Sequence, residues 1–200
     1  MNVFSLKPVR TVAPVAEPIS LAEAKAHLRV DASDEDDLIT ALIQAATASL
    51  DGWSGRLGRC LVTQTWRQDY VGFPQGGVLR LPFPDVQSVS VSYVDETGAS
   101  QTLATSIYHV VDDAIGAACV RDPDATWPET DDRPISVSVT LVAGFGLAAA
   151  VPAPIKAAIK LMVGDLYAHR ETVAGGSYAS IPMSMTVQNL LAPYRRSGIV

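Results

Sequence analysis

The 200-residue sequence is poor in the residues that carry chemistry: two cysteines, three histidines and 6% aromatics. Cys60 and Cys119 lie far apart, with no CxxC pair and no disulfide framework, so two reduced thiols are expected. His27, His109 and His169 are isolated, with neither an HExxH nor a paired cysteine, so no metal site is expected. There is no G-x-S-x-G, which removes the nucleophile elbow of the α/β-hydrolases. The lone "GFG" at 144–146 follows a strand-like run, and Ala149 stands where a dinucleotide fingerprint needs glycine, so it reads as a turn. No apolar run approaches the roughly 20 residues of a spanning helix. The first residues, "MNVFSLKPVRTVAPVAEPIS", lack the continuous apolar stretch of a secretory leader, and none is expected. Basic residues are the minority charge. The net charge of −6 does not suit general nucleic-acid binding, which needs phosphate-neutralising Lys and Arg.

That charge is uneven. Residues 151–200 hold five bases against two acids, about +3, which leaves about −9 on the rest of the chain. Such asymmetry lets one end meet an acidic surface while the body repels others.

The pattern of what is present is helical at both ends and β-rich between. Three prolines in the first 18 residues read as an extended arm. "ISLAEAKAHLRV" predicts a short helix over about 20–29, opened by the Ser20–Glu23 capping box. Leu38, Ile39, Leu42, Ile43, Ala46 and Leu50 recur at helical period and predict a longer helix over about 34–52. From Cys60 to Gly146 the chain is rich in Val, Thr, Tyr and Ile in short alternating runs, separated by turn signals such as "FPQGG" and "DETGAS". That predicts an antiparallel sheet folded on itself. Val86 alone is out of phase with the alternation of residues 87–93. "VPAPIKAAIKLMVGDLYAHRET" predicts a long helix starting at its prolines. "VAGGSYASIPMS" reads as a loop, and "MTVQNLLAPYRRSGIV" as a short closing helix with Val187, Leu190, Leu191 and Tyr194 on one side. The expectation is an α+β protein: a helical core of two N-terminal helices and one long and one short C-terminal helix, with an inserted antiparallel β module. The segments are 1–59 for the arm and first helical part, 60–146 for the β module, and 147–200 for the second helical part.

Two acidic clusters invite a site. "DASDEDD" at 31–37 fails as a calcium loop: counted from Asp31, the sixth residue is Asp36 rather than glycine and the twelfth is Leu42 rather than glutamate. It fits a helix start better, with Ser33 or Asp34 accepting from free N–H groups and Glu35, Asp36 and Asp37 favoured by the helix dipole. "DPDATWPETDDRP", with Asp122, Asp124 and Glu129 around Trp127, offers an alternative function, a carbohydrate- or metal-binding module or a small hydrolase using the 122–132 loop. A solvated loop is the simpler reading. No catalytic constellation emerges, and neither a cofactor nor a catalytic role is expected.

The ordered set "SLAEAKAHLRV", "D-x-x-D-E-D-D-L-I", "R-C-L-x-x-Q-T-W", "VPAPIKAAIKLMVGDLYAHRE" and "NLLAPYRR" resembles the head–tail connector (adaptor, or head-completion) proteins of tailed phages and phage-derived gene transfer agents. The resemblance runs over nearly the whole chain, with a β block longer than in the shortest members. It implies a non-enzymatic virion component: a homo-oligomeric ring, usually of twelve subunits, between the portal protein and a stopper or tail-side ring. Packaged DNA would pass through its channel without sequence-specific binding. It also implies that the segment from Leu190 to Val200 docks on the portal, with Leu190, Leu191, Tyr194, Arg195, Arg196 and Val200 as the contact residues. Tyr194 would be an aromatic anchor and the two arginines donors to carboxylates.

Overall fold

A computed structural model describes residues 4–113, 115–169 and 184–196. Among them are four α-helices and eight strands in two antiparallel sheets, an α+β fold. The chain divides into two compact units. One comprises residues 16–62 and 145–195; the other comprises 1–15, 63–144 and 196–200.

The first unit is helical. Helix α1 (Leu21–Leu28) begins at the expected capping box. The Ser20 hydroxyl accepts from the Glu23 N–H at 3.2 Å, and the Glu23 carboxylate accepts from the Ser20 N–H at 2.8 Å. Helix α2 (Asp36–Ala48) buries Ile39, Ile43 and Ala46, and helix α3 (Ala153–Ala168) buries Ile155, Ala158, Ile159 and Val163. Helix α4 (Met185–Leu191) adds Val187 and Leu191. With Leu50, Leu57 and Leu61 these form one core. Burying each Leu, Ile or Val there stabilises the unit by about 1.5–3 kcal/mol. Leu166 of α3 is 40% exposed. At 100° per residue it lies on the same face as Ile155 and Ile159, so its exposure does not come from helical phase.

The acidic run before α2 departs from expectation in one respect. The N-cap is Glu35, and no side chain caps the helix. Instead the Asp36 N–H bonds the Ser33 carbonyl at 3.1 Å. The carboxylates face neighbouring helices: Asp36 accepts from Lys25 of α1 at 2.5 Å, and Glu35 accepts from the Tyr167 hydroxyl of α3. The run ties three helices together. Helix α2 also ends four residues earlier than predicted, and the chain folds back so that a Cβ on Gly55 would lie 2.3 Å from the Leu50 carbonyl. Only glycine fits that close approach.

The second unit is the β module. Its strands are β1 (Val9–Val12), β2 (Gln64–Tyr70), β3 (Val78–Arg80), β4 (Val86–Val94), β5 (Ser100–Thr102), β6 (Tyr108–Asp113), β7 (Gly116–Arg121) and β8 (Val137–Ala143). Five form one sheet in the order β1-β2-β8-β4-β5, and three form another in the order β3-β7-β6. Strand β8 is central and alternates cleanly, with Val137, Val139, Leu141 and Ala143 buried. The out-of-phase Val86 has a structural cause: the β4–β8 register slips between Val86 and Ser88, where a bulge resets the alternation. Gln87 in that bulge donates to the Gly144 carbonyl and the Thr63 hydroxyl, both at 2.9 Å. Part of the proline-rich arm is itself a strand, since β1 pairs with β2 and Ser5 bridges Tyr70. All four β1 residues are exposed, so no burial period marked it.

Candidate functional site

The segment that the resemblance singles out begins in α4. Ser184 caps this helix, its hydroxyl accepting from the Val187 N–H at 3.2 Å. Leu191 is 0% exposed and belongs to the helical core, whereas Leu190 and Tyr194 are partly buried against it. The Tyr194 ring meets Phe145 edge-on, with centroids 6.4 Å apart at 88°. The Arg59 guanidinium carbon lies 5.3 Å from the Phe145 ring centroid. Arg195 is exposed. Arg196 belongs to the β unit, where its guanidinium donates to the carbonyls of Ile115 (2.7 Å), Leu81 (3.2 Å) and Pro82. Gly116 makes room for it: at φ +132° it is in a region side chains rarely adopt, and a Cβ there would lie 3.0 Å from Arg196 Nε. Val200 lies outside the described residues.

Thus the structure separates the five described residues by what they touch. Leu191 holds the helix, Tyr194 and Leu190 straddle core and surface, Arg195 faces outward, and Arg196 closes onto three backbone carbonyls. Sequence period found Leu191's face but not its depth, because Leu190 and Leu191 are adjacent and only packing distinguishes them.

The 122–132 loop does not assemble a site. The Asp122 carboxylate accepts from the Asp124 N–H (3.1 Å) and contacts His109 Nε2 (3.0 Å), and both hold its carboxyl below the usual carboxylate range. Asp131 pairs with Arg133. Trp127 is not a solvated loop residue: it stacks on Phe73 at 4.8 Å and 8°, and Phe73 in turn meets Tyr93 edge-on at 5.8 Å. Among the described residues no group of three or more His, Cys, Asp or Glu is placed to hold a metal ion. The deepest perturbations belong to buried groups with structural duties. Burial pushes the Cys119 thiol up to about 12 and raises Tyr70, whose hydroxyl donates to the Arg80 carbonyl at 2.6 Å. A cleft of about 450 Å³ in the helical unit is walled mainly by apolar side chains, including Ile19, Leu21 and Ile43. Its Glu23 already serves the α1 cap. No helix among the described residues is long and apolar enough to cross a membrane.

Against this geometry, residues 18–111 match the model of the phage gp6-like head-tail connector proteins. The sequence resemblance and the matching model name the same family. No curated protein matches the chain. Among solved structures, a chain in the virion of a native gene transfer agent particle superposes with a TM-score of 0.76 at 23% identity, covering 98% of both chains. A chain in the neck of an empty gene transfer agent particle, computed with C6 symmetry, gives 0.76 at 22% identity and the same coverage. A chain in the neck of a native gene transfer agent particle, computed with C12 symmetry, gives 0.71 at 20% identity, again over 98% of each. At these identities the likeness is one of fold, and it spans the helical and the β parts alike.

Proposed function

We propose that this chain is a structural adaptor of a tailed particle's neck. Copies form a closed ring, of twelve subunits by analogy with the C12 neck, between the portal and a stopper or tail-side ring. The ring extends the channel through which packaged DNA passes. The observation that carries this reading is the pairing of a connector-family match over residues 18–111 with a fold match over 98% of the chain to neck-particle chains. The role is architectural rather than catalytic, and the protein resides in the neck of the particle.

The charge distribution supports the reading. An acidic body around a channel repels phosphate and lets DNA slide, while the basic C-terminal quarter faces an acidic partner. Within Leu190–Val200, Arg195 and the exposed parts of Leu190 and Tyr194 are the surfaces available for portal docking without disturbing the fold. Arg196 contributes only if it leaves its three carbonyls.

The experiment is native mass spectrometry and electron microscopy of the chain alone and with isolated portal rings. A closed ring seated on the portal is the expected result. A chain that remains monomeric and never associates with the portal overturns the proposal.

A further inference from the structure

We infer that strand β6 is a docking edge for an extended segment of another protein, which adds to the three-stranded sheet as a fourth strand and carries a basic side chain two positions from an aliphatic one. The inference goes beyond the ring reading and does not depend on it.

Strand β6 is the outer strand of its sheet, and among the described residues no strand lies beyond it. The Asp122 N–H donates to the Ile107 carbonyl at 2.9 Å. Antiparallel alternation from that pair turns the backbone groups of His109, Val111 and Asp113 toward β7, and those of Val110 and Asp112 outward. Those outward groups bond no other strand among the described residues. The strand is six residues long, with no proline, no lysine and no register slip, the devices that normally blunt an edge.

The side chains select what an added strand carries. Leu79 of β3, Cys119 of β7 and Val110 form one row across the sheet, on one face. Their exposures run 2%, 0% and 43%, so the buried row breaks off at the edge. An aliphatic side chain opposite Val110 extends it. In the next row on that face Ala117 is buried and Asp112 exposed. Asp113 is engaged by Arg80 at 2.5 Å and Asp122 by His109 at 3.0 Å, whereas the Asp112 carboxylate has no partner among the described residues. A cation opposite Asp112 completes that row. Val111, exposed on the other face, offers a second apolar contact.

The chain's other outer strands do not match this demand. Strand β1 shifts register between Arg10 and Val12. Strand β5 has three residues and no base. In β3 the Arg80 carbonyl already accepts from the Tyr70 hydroxyl at 2.6 Å. Antiparallel pairing of two β6 strands through their outward groups sets Asp112 against Tyr108, Val110 or a second Asp112, none of them a cation. A separate protein is therefore the occupant, held by main-chain bonds and chosen by its alternate side chains.

The test uses the full chain and two synthetic peptides, acetyl-TRVVTS-amide and acetyl-TEVVTS-amide, which differ only in the charge set opposite Asp112. Amide hydrogen exchange followed by NMR reads the edge. In the chain alone, the Val110 and Asp112 N–H groups are expected to exchange fast and that of Val111, which faces β7, slowly. The arginine peptide is expected to protect Val110 and Asp112 and to bind roughly tenfold more tightly than the glutamate peptide. Asp112→Lys is expected to reverse that preference at an unchanged melting temperature. Val110→Pro removes an outward N–H and is expected to abolish binding of both peptides. No protection by the arginine peptide, equal binding of the two peptides, or an unreversed preference in Asp112→Lys would each overturn the inference. So would sedimentation showing self-association of the chain that Val110→Pro removes, because a second copy would then be the occupant. The ring reading is judged separately, by assembly on portal.

Discussion

The Tyr194 ring stands perpendicular to Phe145, 6.4 Å between centroids, and this contact fixes the end of the C-terminal helical segment to the loop that follows β8. Edge-to-face pairs add about 0.5–1.5 kcal/mol beyond the area they bury. Tyr194→Ala is therefore expected to lower stability by about 2 kcal/mol. Tyr194→Phe, which keeps the ring, is expected to stay within about 0.5 kcal/mol of wild type. Urea titration of both variants checks this, and equal losses would show that the hydroxyl rather than the ring matters.

Docking and folding are separable within the same short segment. Leu191 is fully buried, so Leu191→Ala is expected to cost about 2–5 kcal/mol. Arg195 is exposed, so Arg195→Glu is expected to leave the melting temperature in place and to weaken portal association. Removing residues 190–200 as a block confounds the two, because it takes Leu191 out of the core. The pair of point variants, compared by thermal melt and by portal pull-down, distinguishes them. If Arg195→Glu binds portal as wild type does, the docking surface lies elsewhere.

The alkaline limb of stability follows from burial. Burial raises the Cys119 thiol from 9.0 to about 12, and it also raises Tyr70 and Tyr108. A group whose folded pKa lies above its unfolded value stabilises fully below the unfolded value and loses that contribution as pH rises toward the folded one. Stability is thus expected to fall from about pH 9 upward, steepest toward pH 12. Cys119→Ala should flatten part of that fall. Thiol reagents at pH 8 should label Cys119 only after denaturant is added, since it is buried and its thiolate is disfavoured. Rapid labelling of the native chain at Cys119 would contradict the buried geometry.

Much of the architecture was legible because local chemistry and long-range packing agree. The Ser20–Glu23 box, the apolar period of α2 and α3, and the alternation of β8 each state their structure in a few residues. Strand β1 was illegible because all four of its residues are exposed, and an edge strand with both faces wet carries no period. Strand β5, "SQT", was hidden for the same reason. The acidic run was read correctly as the approach to α2 but not in its role. Glu35 and Asp36 bond Tyr167 and Lys25, and the Tyr167 contact spans 132 positions of sequence, which no local pattern conveys. The candidate segment was found as a unit. Its division between core and surface depends on depth, which adjacent residues such as Leu190 and Leu191 do not reveal in sequence.

The acid limb isolates the capping box. The Ser20 N–H is the main cause that lowers the Glu23 carboxyl below its ordinary 4.5, with the Ser20 hydroxyl and Lys156 adding to it and burial opposing. A lowered folded pKa means the carboxylate's contribution is present above the unfolded value and is lost as pH falls through the folded one. Glu23→Gln is therefore expected to be less stable than wild type at pH 7, with the gap closing as pH drops below 4.5. Ser20→Ala acts differently. It deletes the oxygen that accepts from the Glu23 N–H but leaves the backbone donor that holds the carboxylate, so it is expected to cost about 1 kcal/mol with much less dependence on pH. Urea titrations of both variants at pH 7 and pH 3 separate the two halves of the box. A Glu23→Gln gap that stays constant between those pH values would show that the carboxylate's charge contributes nothing there, and that its hydrogen-bond geometry alone supports the start of α1.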